Sequence, residues 1–168
     1  MNKLTSVFNS RRYWAALTLL GIAALAVALY YQYGVGDVPC QVCIHARLWV
    51  VALILIGAVM CWLPLTRGTQ LVGNLVVVVS GAGLGERAWY LYQLENGIGN
   101  GSCQFELGMP DWFAVDRWFP WLFEVRNLCS FTPEMLLGLS MAESLMLFAF
   151  GLCCIAMTAL FMTQQSQD

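Results

Sequence analysis

Apolar positions along the chain gather into four long runs, separated by two short polar breaks and one long mixed segment. The first run, Tyr13 to Tyr33, contains no charged residue and is long enough to cross a hydrocarbon core of about 30 Å as a helix. Lys3, Arg11 and Arg12 precede it, as charges precede a secretory signal. A signal core is only about 7–15 residues and ends at small residues, whereas this run is longer and ends in aromatics, so it reads as a retained span. The second run, Ile44 to Leu63, is interrupted only by His45 and Arg47, and Pro64 with Thr66-Arg67-Gly68-Thr69 then supplies a stop and a polar turn. The third covers Leu71 to about Tyr92, with Glu86 and Arg87 near its end, and the fourth Ala142 to Met162, with Glu143 at its entrance. The pattern predicts one all-α membrane domain over residues 1–168, a four-transmembrane-helix bundle with spans near 13–33, 44–63, 71–92 and 142–162.

Composition agrees and excludes the alternatives. Hydrophobic residues make up 60% and charged residues 11%, against roughly 25% charged in a soluble domain. So few charges cannot coat a water-facing surface, and a net charge of −2 gives no general attraction to nucleic acid. Three basic residues sit in the amino-terminal tail and one at Arg67, while the 34–43 loop has none; Arg117 and Arg126 of the 93–141 loop are distant from span ends and weigh less. The positive-inside rule therefore puts both termini in the cytoplasm and the 34–43 and 93–141 loops on the opposite side. In the second of these loops Trp112, Phe113, Trp118, Phe119, Trp121 and Phe123 alternate with Asp111, Asp116 and Arg117. That mixture suits an interfacial amphipathic segment in the headgroup zone, the other form open to it being a small folded cap. Gly81, Gly83 and Gly85 lie inside an apolar span and suit close helix packing rather than a phosphate loop.

The seven cysteines carry the chemistry. Cys40 and Cys43 form a C-x-x-C at the mouth of the second span, and Cys103 and Cys129 lie in the long outer loop. All four fall on the same, extracytoplasmic side, where thiols are expected to be oxidised to disulfides. Cys61, Cys153 and Cys154 fall within spans and read as small apolar packing residues. Zinc is the main competing use of the four outer cysteines, but only one of the two pairs is close-spaced, so no metal site is expected. A structural cross-link would suit Cys103 and Cys129, whereas the tight C-x-x-C ring is typical of reactive dithiols. Cys43 lies near a helix amino terminus, where the backbone dipole favours a thiolate. Arg47 follows one turn deeper on the same face, and a cation inside the apolar zone points to function. Arg87, near the end of the third span, is a further candidate for the same site.

These residues resemble the disulfide-bond formation protein B (DsbB) family of bacterial inner-membrane thiol oxidases. The resemblance covers four spans, C-x-x-C-I-x-x-R as Cys40 to Arg47, a cysteine pair in the second outer loop, and the stretch from Pro110 to Pro120. It implies Cys40, Cys43, Cys103 and Cys129 as catalytic residues, and ubiquinone or menaquinone as the cofactor, with Arg47, His45 and Arg87 as cofactor-binding candidates. It also implies a periplasmic DsbA-type, thioredoxin-fold partner. That partner would attack a Cys103–Cys129 disulfide at Cys103, Cys129 would exchange with Cys40, and Cys43 would face the quinone beside Arg47. Two features depart from the family's usual pattern: Ala46 stands where Gln or Glu is common, and Gln41-Val42 separate the dithiol where proline or an apolar residue is common first. Intervening residues tune redox poise, so the family's potentials are not carried over. The rival readings are a four-span scaffold or transport subunit with structural loop disulfides, and a related quinone-linked reductase.

Overall fold

A computed structural model describes residues 7–98, 107–127 and 138–165. Four helices are long and apolar enough to cross a membrane: α1 (Arg11–Tyr30), α2 (Gln41–Trp62), α3 (Arg67–Glu95) and α6 (Met141–Gln165). Between α3 and α6 the chain makes a short 3₁₀ turn (Asp111–Phe113), then α4 (Val115–Trp118) and α5 (Pro120–Phe123). No strand occurs among the described residues, apart from one isolated bridge between Cys40 and Asn127. The protein is a four-span, multi-pass membrane protein.

Local chemistry sets the helix ends. Leu63 is extended (ψ 153) because Pro64 disfavours the helical region in the residue before it, so α2 stops at Trp62. Thr66 Oγ1 accepts from the Thr69 backbone N–H at 3.3 Å and caps α3. At α6, Ser140 Oγ accepts from the Glu143 N–H at 3.2 Å while a Glu143 carboxylate oxygen accepts from the Ser140 N–H at 3.0 Å. This reciprocal capping box explains why an acid stands at the mouth of an apolar span. α1 widens into a π-turn over Tyr31–Val35 and ends at Gly36, whose φ of 84 is left-handed. α3 extends beyond its apolar run at both ends, to Arg67 and Glu95.

Small residues decide how closely the helices approach. α3 packs along α6, α2 along α1, and α3 along α2. A Cβ at Gly57 would meet Thr18 Oγ1 and stand 3.3 Å from the Trp14 carbonyl oxygen of α1. Gly81 lies against Cys153 of α6, and Gly83 lies beneath the Trp49 ring of α2, so these glycines do serve packing. At the α1–α3 crossing, buried Tyr13 donates from its hydroxyl to Asn74 Oδ1 at 2.7 Å, and Asn74 Nδ2 donates to the Gln70 carbonyl. Such bonds hold helices together where lipid supplies no hydrophobic drive between them. One expectation fails: Cys154 is exposed on the bundle surface, where its helical position turns it away from every neighbouring helix. Cys61 and Cys153 are half-buried packing residues.

Residues 107–127 of the second loop form a packed cap. Leu107, Val115, Leu122 and Phe123 form a small core over Ile44, at the start of α2. Trp112, Trp118, Phe119 and Trp121 stay exposed around it, so one segment serves both as a cap and as an interfacial girdle.

Gly57→Ala is expected to destabilise the detergent-solubilised protein by about 1–3 kcal/mol, because the two backbones must separate. Gly68→Ala, with no atom within 4 Å of the new Cβ, should leave thermal unfolding unchanged. Equal unfolding temperatures for the two variants would contradict the close contact.

Candidate dithiol site

Cys40 is the N-cap residue of α2, in extended conformation (φ −86, ψ 169), and its Sγ accepts from the Cys43 backbone N–H at 3.3 Å. The free N–H of the helix end therefore reaches Cys40, not Cys43 as the sequence suggested, because the N-cap side chain is the one that folds back over the first turn. Both are free, buried thiols. The hydrogen bond from the Cys43 side chain, helped by backbone N–H donors, outweighs burial and holds the Cys40 thiol below its usual range.

Backbone bonds bring the end of the cap beside this pair. The Pro39 carbonyl accepts from the Arg126 N–H at 3.0 Å and the Asn127 N–H at 3.3 Å, which makes the Cys40–Asn127 bridge. Cys103 and Cys129 lie outside the described residues.

Arg47 lies one turn below Cys43 and is buried. Its Nη1 donates to Gln32 Oε1 at 2.6 Å and to the Leu122 carbonyl at 2.9 Å, and its Nη2 reaches the Ala28 carbonyl at 3.4 Å. Its Nε is buried without a partner. The ion pairs among the described residues join exposed side chains elsewhere, Glu86 with Arg87, Asp111 with Arg117 and Glu124 with Arg126. Arg47 thus keeps its charge against neutral acceptors only. The nearby acid, Asp37, is pushed up by burial, with Arg47 opposing.

Cys43 and Arg47 line a cavity of about 310 Å³. Its walls are apolar, coming from α1 between Leu20 and Ala28, from Tyr31 of the π-turn, and from α6 between Met141 and Phe148, where those two helices stand apart. An apolar chamber with one thiol and one cation at its wall suits a lipophilic compound that carries a hydrogen-bond acceptor.

His45 and Arg87 lie elsewhere. The turns of α2 separate Cys43, Ala46, Arg47 and Val50 from His45, Leu48, Trp49 and Ala52, which occupy its opposite face. His45 and Arg87 line a second cavity on that face, and His45 Nε2 bonds the Leu107 carbonyl at 3.1 Å. Gln32, which holds Arg47, was not singled out by the sequence. The available signal was an amide inside the first apolar span. No group of three His, Cys, Asp or Glu side chains that could hold a metal ion occurs among the described residues.

The family model described as "Disulfide bond formation protein DsbB" matches residues 10–159. Disulfide bond formation protein B 2 of Pseudomonas aeruginosa is 36% identical over 159 residues, covering 93% of this chain and 94% of the relative. The Shewanella denitrificans protein named Disulfide bond formation protein B is 32% identical over 144 residues, 85% of this chain and 82% of its own length. The Haemophilus influenzae protein of the same name is 28% identical over 166 residues, 98% and 93% of the two chains.

In the reduced protein, Cys40 should be alkylated by iodoacetamide at lower pH than a free cysteine derivative, because its lowered pKa keeps the thiolate present further into acid. Cys43→Ala removes the main cause, so the pH midpoint should move up. A midpoint unmoved by that substitution would show that the Cys43 side chain does not act on Cys40.

Proposed function

The chain belongs to the DsbB family of disulfide bond formation proteins, and from that premise we propose that it is a dithiol:quinone oxidoreductase that reoxidises a periplasmic DsbA-type, thioredoxin-fold partner. The observation that carries the reading is the apolar cavity shared by Cys43 and Arg47, open between α1 and α6 toward the bilayer. A quinone bound there would be held by Arg47 and the α1 and α6 walls, and would supply the two-electron, two-proton acceptor. The unpartnered Arg47 Nε fits such a ligand.

The chain's own residues account for the thiol steps. The partner's thiolate attacks Cys103 of a Cys103–Cys129 disulfide and expels Cys129 as a thiolate. A second partner thiol then releases Cys103, so the partner leaves oxidised and the loop pair holds the two electrons. Cys129 is two positions past Asn127, whose backbone pairs with Cys40, and two residues of chain span at most about 7 Å. In that reading the Cys129 thiolate attacks Cys40 Sγ of a Cys40–Cys43 disulfide, and Cys43 leaves as the thiolate. A departing thiolate is stabilised by a nearby cation, and Arg47, which lacks a carboxylate partner, is that cation. Cys103 then attacks Cys129, restoring the loop disulfide and leaving Cys40 and Cys43 as the reduced pair beside the cavity. The active cysteines are periplasmic and both termini cytoplasmic in this reading, which the basic residues of the amino-terminal tail support.

Quinone reduction by the purified protein, given a reduced thioredoxin-fold dithiol partner, tests the proposal. Cys40→Ser, Cys43→Ser, Cys103→Ser and Cys129→Ser should each abolish turnover, while Cys61→Ser and Cys154→Ser stay close to wild type. Turnover surviving in any of the first four would break the two-pair relay. Arg47→Ala should raise the apparent quinone KM about tenfold or more, the scale of one charge-assisted hydrogen bond, with thiol exchange to the partner retained. An unchanged quinone dependence would remove Arg47 from the site.

A further inference from the structure

The second cavity has no part in the dithiol chemistry, yet it is as large as the first, about 320 Å³. It lies against the α2 face opposite Cys43, between α2, α3 and the cap. None of its lining residues is buried, so it is a notch at the bundle's perimeter, where the surrounding solvent is lipid.

Its polarity is graded. His45 and Arg87 stand at the dithiol end, and from His45 the α2 stripe runs through Leu48 and Trp49 to Ala52, about 10 Å deeper along the helix. Gly83 lets the Trp49 ring lie directly on α3, and Arg87 is one turn nearer the dithiol end on the same helix. Phe113 of the cap closes the notch from above. A polar head over an apolar floor is the profile of a membrane amphiphile, whereas a free phosphate would meet mostly hydrocarbon.

Charge narrows the headgroup. Arg87 Nε is paired with a Glu86 carboxylate oxygen at 2.8 Å, and both side chains are partly exposed. Arg87 offers guanidinium donors suited to a phosphate, while Glu86 cancels any net positive field that would favour an anionic lipid. A headgroup carrying both signs satisfies both residues. His45 Nε2 donates to the Leu107 carbonyl, which fastens the cap segment over the notch.

We propose that this notch binds one zwitterionic phospholipid from the leaflet at the dithiol end. Its phosphate accepts from Arg87, its ethanolamine ammonium faces Glu86, and an acyl chain follows Leu48 to Ala52. The site is distinct from the Cys43–Arg47 cavity and holds whether or not that cavity takes a quinone.

Native mass spectrometry of the full chain in mild detergent tests this, with phosphatidylethanolamine, phosphatidylglycerol and soluble glycerophosphoethanolamine as probes. Phosphatidylethanolamine should be retained about tenfold over phosphatidylglycerol, and Arg87→Gln should lower that retention about tenfold. Glu86→Gln, which leaves Arg87 unneutralised, should shift the preference toward phosphatidylglycerol, and Arg67→Gln at the other end of α3 should change nothing. Equal retention by wild type and Arg87→Gln would overturn the site. So would binding of the soluble headgroup as well as the lipid, or displacement of the lipid by a short-chain quinone.

Discussion

A guanidinium held inside an apolar bundle is the constraint around which the dithiol end is organised. A buried charge without partners costs several kcal/mol, so Arg47 dictates what must surround it. The structure meets that demand with three acceptors: the Ala28 carbonyl of α1, the Gln32 amide of the π-turn that follows it, and the Leu122 carbonyl of α5. α1 changes to a π-turn just past Ala28, where helical carbonyls are free to take a second donor. Gln32 Nε2 and the Tyr33 hydroxyl both donate to the Trp121 carbonyl, so Gln32 holds both Arg47 and the cap. None of these acceptors is a carboxylate. The positive charge is satisfied as a hydrogen-bond donor but is not neutralised, which leaves it available to a thiolate one turn away.

The same helix separates two environments by periodicity. Residues at i, i+3, i+4 and i+7 from Cys43 face the chamber between α1 and α6, and the stripe starting at His45 faces α3 and the cap. Each stripe carries one polar group near the dithiol end and apolar groups below it. The resulting asymmetry follows from the neighbours. Toward α1 and α6 the helices stand apart and enclose a chamber, whereas toward α3 the Gly83–Trp49 contact closes the gap and leaves only a perimeter notch.

Much of this was legible in the chain, for identifiable reasons. Spans are legible because an unsatisfied backbone cannot cross lipid and apolar runs of that length have few other uses. The C-x-x-C and Arg47 were legible because helical spacing alone puts Cys43 and Arg47 on one face. The capping box of Ser140 and Glu143 stands in the chain as S-x-x-E ahead of the fourth apolar run. Gln32 was not legible as the partner of Arg47, since 15 positions separate them and only the α1–α2 crossing makes them neighbours. Cys154 was misplaced because an apolar span shows no sequence difference between its lipid-facing and protein-facing sides.

Sequence by itself determined the solvent, the number of spans and the chemistry available, because hydropathy and thiol spacing are properties of single segments. Tertiary structure alone decided that Arg87 of α3 stands with His45, on the α2 face opposite Cys43 and Arg47. It also decided that the helix-end donor serves Cys40, and that the Asn127 backbone docks beside that sulfur. These outcomes depend on helix rotation, interhelical distance and loop docking, which arise from packing between segments far apart in the chain.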